Sequence, residues 1–177
     1  MLSEVGWFFV VFRVVHITAA VAWVGTVFFF VFFLQPSAAA IGPAAGPMMG
    51  QLLGVRKLVD RLLWLAGVTV AAGLVLYIKD WQDAGSFGDW VTSSFGLGLT
   101  IGMFTAVAAM AVGASVTLPN ARRLMAIMQE VGASGGPPSP EQAARIGALQ
   151  GTLKAAARTA LALLGVATVA MSTARYW

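Results

Sequence analysis

Residues 91–118 contain no charged side chain, and that run limits what the chain can fold into more than any other feature. A helix rises about 1.5 Å per residue, so about 20 residues cross a hydrocarbon core of ~30 Å. Lipid offers no water to backbone N–H and C=O groups, so a spanning helix must satisfy them internally. Three further stretches have comparable length and character: residues 7–34, interrupted only by Arg13 and His16, then residues 62–78 and 155–174. The expectation is an all-α, membrane-embedded four-helix bundle forming a single domain over residues 1–177. The composition agrees, being 59% hydrophobic and only 10% charged, where a soluble domain carries about 25% charged residues. No segment outside these spans is large enough to carry chemistry of its own.

The few charges are unevenly placed. Arg56, Lys57, Arg61, Arg122, Arg123, Arg145, Lys154 and Arg158 fall on the first and third connections and their flanks. Lys79 and Arg175 fall on the other side with Asp80, Asp83 and Asp89. The positive-inside rule then puts both termini outside and the first and third connections in the cytoplasm of a bacterial inner membrane. The sequence pI near 10.1 follows from this loop bias. No aromatic residues alternate with the basic ones, so nucleic acid is not an expected partner. The first apolar stretch exceeds the ~7–15 residues of a signal-peptide core and reads as a retained helix.

Helix boundaries are also legible. Pro36, Pro43 and Pro47 punctuate the first connection, and the second helix is expected to extend backwards to about Pro47. Residues 120–131 and 141–153 hold few helix breakers, whereas residues 132–140 are rich in Gly, Ser and Pro. Helices three and four should therefore run past the membrane surface as a short cytoplasmic hairpin, with Leu124, Ile127, Met128 and Val131 as its apolar stripe. Small residues predict the packing faces: Gly98, Gly102, Ala106, Ala109 and Gly113 on helix three; Gly67 with Ala71 and Thr69 with Gly73 on helix two; Leu161, Gly165, Thr168 and Ser172 on helix four. In lipid, helices associate through close van der Waals contact, which small residues permit.

One constellation carries chemistry. His16 is the only histidine in the chain, and it lies within the first span. An ionisable group there costs about 2.5–3.5 kcal/mol on insertion scales and marks a functional hypothesis. Arg13, His16, Ala20 and Trp23 share one helical face. A neutral imidazole can ligate haem iron, Ala19 and Ala20 leave flat space beside it, and Arg13 is placed to meet a propionate. A second ligand must come from a methionine, from another subunit or not at all. Met103, at similar depth on helix three, is the candidate. The structural alternative has His16 hydrogen-bonded to a neighbouring helix while Arg13 snorkels to lipid phosphate or to Asp80, Asp83 or Asp89. Copper at His16 and Met103 is the third reading, since copper(I) accepts imidazole and thioether. Most of the eight methionines read as core filler.

Other chemistries are excluded. Without cysteine the chain can hold no disulfide, thiolate metal site, iron–sulfur cluster or c-type haem attachment. A single histidine rules out a multi-histidine cluster. The outer acids read as solvated caps, Asp60 as an ion-pair partner beside Lys57 and Arg61, and no catalytic set remains.

The stretch Arg13-x-x-His16-Ile17-x-Ala19-Ala20-x-x-Trp23-Val24-Gly25, followed by aromatics and Pro36, resembles the first helix of the copper-resistance D (CopD) superfamily. The Arg122-Arg123 pair after the third span and the closing Thr173-Ala174-Arg175-Tyr176 are similar too. That resemblance implies a multi-pass protein tied to copper handling or redox membranes. The opening is also similar to the membrane protoporphyrinogen oxidase HemJ, whose helix-one histidine His16 matches, and to the membrane domain of urate-oxidising enzymes. HemJ carries a lysine in its third span, absent from residues 91–118 here, which argues against that oxidase activity. Three functions are therefore expected in order: a non-catalytic accessory subunit of a redox or metal-handling complex, a haem or chlorophyll-type tetrapyrrole component with His16 as axial ligand, and copper transport or sensing. The expected partners are the lipid bilayer and other membrane subunits or further copies of the chain.

Overall fold

The computed structural model describes residues 4–176, in which every regular element is helical. Helix α1 (Glu4–Phe29) runs through a π-helical segment, Phe30–Leu34, into α2 (Gln35–Ile41). Gly42, with φ +70°, turns the chain into a 3-10 segment, Gly42–Ala45. Helix α3 (Gly46–Gly50) and a second π-helical segment, Gln51–Val55, follow. Next come α4 (Leu58–Ala84), the short α5 (Phe87–Thr92) and α6 (Ser94–Val112). A third π-helical segment, Gly113–Thr117, leads into α7 (Leu118–Ser134), and α8 (Pro140–Thr173) closes the chain with a 3-10 turn, Ala174–Tyr176.

Two of the π-helical segments have the same cause. Proline lacks an N–H, and its ring crowds the carbonyl four residues earlier. For Pro36 and Pro119 those carbonyls belong to Phe32 and Ser115, each inside a π-helical segment. The widened turn, closed by Gln35 N–H to the Phe30 carbonyl and Leu118 N–H to the Gly113 carbonyl, lets each helix pass its proline.

The predicted backward extension of the second helix to Pro47 is broken. Residues there are helical as far as Val55, but Lys57 adopts a left-handed conformation (φ 50°) and α4 starts at Leu58. A left-handed residue other than glycine costs roughly 1–2 kcal/mol, so the packing on either side of Lys57 must hold the break. The third span starts at Ser94 rather than 91. Ser93 is extended, and its hydroxyl accepts from the Gly96 N–H at 3.1 Å as a helix cap. The fourth helix runs beyond residues 155–174 through 141–153, as expected, and starts at Pro140, where Ser139 and Gln142 form a reciprocal capping box.

Four helices are long and apolar enough to cross a membrane, within Gly6–Val55, Leu58–Ala84, Ser94–Ser134 and Pro140–Tyr176. They pack as two pairs: α1 lies along α4, and α6 lies along α8. The pairs meet in a core of Trp23, Val27, Ala66, Ala109 and Leu164. Between α6 and α8 contact is close enough that a Cβ on Gly98 would come within 2.8 Å of the Ala174 Cβ. Outward-facing Val14, Trp64, Phe104 and Val169 are all well exposed, as a lipid-facing surface requires.

Two of the predicted packing stripes are corrected. On α4 the buried row is Ala66, Thr69 and Ala72, whereas Gly67 has open space beside it and Ala71 is exposed. On α8 the buried row is Ala156, Leu164, Ala167 and Ala170; Gly165, Thr168 and Ser172 are exposed. Gly67 with Ala71, and Gly165, Thr168 and Ser172, thus miss the packed faces, whereas Thr69 with Gly73 on α4 and Gly98, Gly102 and Ala109 on α6 lie on them as expected. Burial is set by where Leu164 meets Trp23, which no local pattern on α8 encodes.

Candidate functional site

His16 sits half-buried on α1 where that helix crosses α4. Its Nδ1 lies 2.8 Å from the carbonyl oxygen of Thr69. A carbonyl can only accept, so Nδ1 carries the proton and donates, leaving Nε2 with a lone pair. Thr69 is itself buried, and its hydroxyl donates to the Leu65 carbonyl at 2.8 Å. Beside it, Gly73 provides the space for the ring. A Cβ at position 73 would stand 2.7 Å from His16 Cε1 and 2.9 Å from Nδ1.

Nε2 has no hydrogen-bond partner among the described residues. No buried side-chain nitrogen or oxygen in those residues lacks a partner either, so Nε2 is not sealed in packing. His16 lines a cavity of about 810 Å³ bounded by both helix pairs. Ligand sites for cofactor-sized molecules span roughly 300–1,000 Å³. Trp23 and Leu164, both in the packed core, form its floor. Met103 of α6 and Met171 of α8 line its walls. A second void of about 100 Å³ lies beyond Trp23, towards the basic end of the bundle, and is lined almost wholly by apolar side chains such as Leu62, Leu63 and Met110.

The cavity changes character at the end of the bundle that carries the termini. Arg13, Tyr77, Asp80 and Arg175 line it there. Asp80 lies within electrostatic range of Arg13 and of Arg175, yet neither arginine makes a direct ion pair among the described residues. Tyr77 and Thr100 share a hydrogen bond of 2.8 Å, and Tyr77 stands edge-on to the buried Trp90. These contacts tie α4 to α5 and α6 across the cavity rim.

The four residues singled out in the sequence, Arg13, His16, Trp23 and Met103, all line this one cavity. The structural reading of His16, a hydrogen bond to a neighbouring helix, also describes what Nδ1 does. The two readings are compatible, because ligating histidines commonly donate their second ring nitrogen to a carbonyl. Sequence reasoning missed Gly73, Asp80, Met171 and Arg175 as site residues. A signal for two of them was present: Met171 and Arg175 repeat on the last helix, in reverse order, the one-turn spacing of Arg13 and His16.

The acids are reassigned. Asp80 is no loop cap but a residue of α4 on the cavity wall, whereas Asp83 pairs with Lys79 and Asp89 lies in the first turn of α5. Asp60 is an ion-pair partner as expected, and the cation it meets is Arg122 of α7 at 2.8 Å. No group of three or more His, Asp or Glu side chains able to hold a metal ion occurs among the described residues. No protein-family model, curated protein or solved structure matches the chain.

The residues present fit an iron tetrapyrrole. The site offers an imidazole with fixed tautomer and free Nε2, two thioethers, an apolar chamber of suitable volume, and two unpaired guanidinium groups at one rim. A lone copper ion fits less well. About 810 Å³ is far more room than one ion occupies, and tight chelation requires ligands that converge.

Proposed function

We propose that this chain is a non-catalytic, tetrapyrrole-binding component of a bacterial cytoplasmic-membrane redox assembly, with His16 as an axial ligand. The observation that carries the reading is the imidazole held at 2.8 Å from the Thr69 carbonyl on a residue that lines the large cavity. A bound iron tetrapyrrole would supply one-electron exchange.

The chain's own residues have separable parts in this. The Thr69 carbonyl fixes the tautomer of His16, leaving the lone pair on Nε2. Gly73 makes room for the ring, and Trp23 with Leu164 closes the chamber towards the middle of the bundle. Arg13 and Arg175 suit carboxylate substituents, which guanidinium groups bind through short, charge-assisted hydrogen bonds. Asp80 between them offsets part of their mutual repulsion.

In this reading both termini and the Arg13–Arg175 rim face outside. The α7–α8 hairpin and the first connection face the cytoplasm, as their arginines and lysines favour. The surrounding assembly supplies the electron donor and acceptor.

The test is a visible spectrum of the detergent-purified protein titrated with haemin. A stoichiometric Soret band that is lost in His16→Ala, with the melting profile of the apoprotein retained, supports the reading. A folded wild-type protein that leaves haemin in its free, detergent-dissolved form rejects it. Metal analysis of the same preparation reads the copper alternative: copper retained in proportion to protein and lost in His16→Ala would replace the tetrapyrrole.

A further inference from the structure

The large cavity is open along one side. Phe95, Leu99, Met103 and Ala106 of α6 line it and none is exposed, so bordering the cavity does not by itself expose a side chain. On α1, by contrast, Arg13, Ile17, Val21 and Gly25 both line it and are exposed, Ile17 at 57% and Val21 at 67%. They recur every four residues and form one row along the helix. His16 rests against Gly73 of α4, and the row lies roughly 100–180° around the helix from it where 17, 21 and 25 stand, on the side turned away from α4. On α8, Thr168, Ser172 and Arg175 line the cavity and are exposed. They lie roughly 100–160° around from Ala170 and Ala174, which meet Gly98 of α6. Beside α4, α1 has α8 as its other neighbour, so the two rows flank the seam between α1 and α8. Of the α4 residues on the cavity, Leu74 alone is exposed.

The slot faces lipid. From Gly25 to Arg13 the α1 row rises about 18 Å, more than half of a ~30 Å hydrocarbon core. Exposed Val10, Val11 and Val14 lie nearer the N-terminal end than Ile17, so apolar surface continues past the row. The hydroxyls on the α8 flank are already spent: Thr168 donates to the Leu164 carbonyl at 2.8 Å and Ser172 to the Val169 carbonyl at 3.1 Å. That flank offers an apolar molecule little unpaired polarity. Each row ends in an arginine, and Arg13 and Arg175 both lie within electrostatic range of Asp80, at the same end of the slot. We infer that the site is filled sideways from the bilayer through the slot between α1 and α8, an inference that rests on the tetrapyrrole reading. The ligand is a membrane-dissolved amphiphile whose apolar body passes between Ile17 and Val21 on one side and Thr168 and Ser172 on the other. Its carboxylates come to rest on Arg13 and Arg175. Thr168 and Ser172, small residues that the pattern of α8 assigned to helix packing, instead keep the slot wide.

The test follows haemin loading and release in proteoliposomes of the full chain by stopped-flow absorbance at the Soret band. Wild type is compared with Val21→Trp and Thr168→Trp, which put a bulky ring on either flank, and with Val14→Trp, which faces outward beside the slot. Each flank variant should slow loading and release together by about tenfold, so that affinity moves less than either rate, while Val14→Trp matches wild type. In a second arm, serum albumin is added once haemin has partitioned into the bilayer and before the site has filled, to capture haemin in the water. Wild type should go on loading at its initial rate. The inference is overturned if both flank variants load as fast as wild type, if affinity falls while the loading rate holds, or if albumin stops loading at once. In each of those cases wild type still binds haemin, so the tetrapyrrole reading stands. A wild type that takes up no haemin overturns both. Flank variants on two different helices, each checked by its melting profile, guard against one that does not fold.

Discussion

Adding one methyl group at Gly73 should displace the imidazole on which the site depends. The new Cβ would lie 2.7 Å from His16 Cε1, where ordinary contact begins near 3.4 Å, so the ring must retreat by about 0.7 Å. Its Nδ1–H bond to the Thr69 carbonyl is already at 2.8 Å and lies beside the same methyl. Any retreat lengthens or bends it. Overpacking of this kind costs about 1–3 kcal/mol, and a lost hydrogen bond about 0.5–1.5 kcal/mol. Replacing glycine by alanine inside a helix returns roughly 1 kcal/mol. The net destabilisation of Gly73→Ala is therefore about 1–3 kcal/mol, with Nε2 shifted away from its place on the cavity wall. If binding feels the whole of that cost, haemin affinity falls about tenfold to a hundredfold. The assay is haemin titration of detergent-purified apoprotein, paired with its melting temperature. Gly67→Ala is the control on the same helix, because nothing lies within 4 Å of its new Cβ; it should bind as wild type does and melt no lower. A Gly73→Ala protein that binds haemin as tightly as wild type would show that the ring position does not govern the site.

Replacing Arg13 or Arg175 by Gln should weaken haemin binding about tenfold or more each, since a hydrogen bond to a charged group is worth about 1.5–3 kcal/mol. The dimethyl ester of the same tetrapyrrole should bind the variants and wild type alike; an equal loss for the ester would remove the carboxylate role. Gly96→Ala should be among the most damaging glycine substitutions, lowering stability by about 3 kcal/mol or more, because its Cβ would sit 1.9 Å from the Trp90 carbonyl oxygen. Gly88→Ala, with open space beside it, should leave the melting temperature within about 2 °C of wild type. In this cysteine-free chain, Gln82→Cys should react with a membrane-impermeant maleimide in intact cells. Ser134→Cys should react only after the membrane is opened, and the reverse pattern would invert the proposed orientation.

The sequence by itself determined that the chain is helical, that four segments are apolar enough to cross a bilayer, and that its one histidine, His16, lies with Arg13 in the first of them. These follow from local quantities. An uncharged run of sufficient length has only a helix open to it in lipid, and one histidine among apolar neighbours is conspicuous wherever it packs. Pro36, Pro43 and Pro47 marked the punctuated first connection, although Pro36 is absorbed by a π-helical turn instead of ending its helix. The break at Lys57, which has no proline or glycine to announce it, was not legible.

Tertiary structure decided which faces meet, and with that the site. Small residues at three- and four-residue spacing occur on several faces of α4 and α8, and lipid exerts no hydrophobic pull to choose among them. The choice is made by residues distant in sequence that meet in the fold, Leu164 and Trp23 in one core cluster and His16 against Gly73. The same contacts bring Arg175 and Met171 to the cavity that Arg13 and His16 line from the other end of the chain. Sequence spacing can place residues on a helix, but only packing sets the height and rotation of one helix against another.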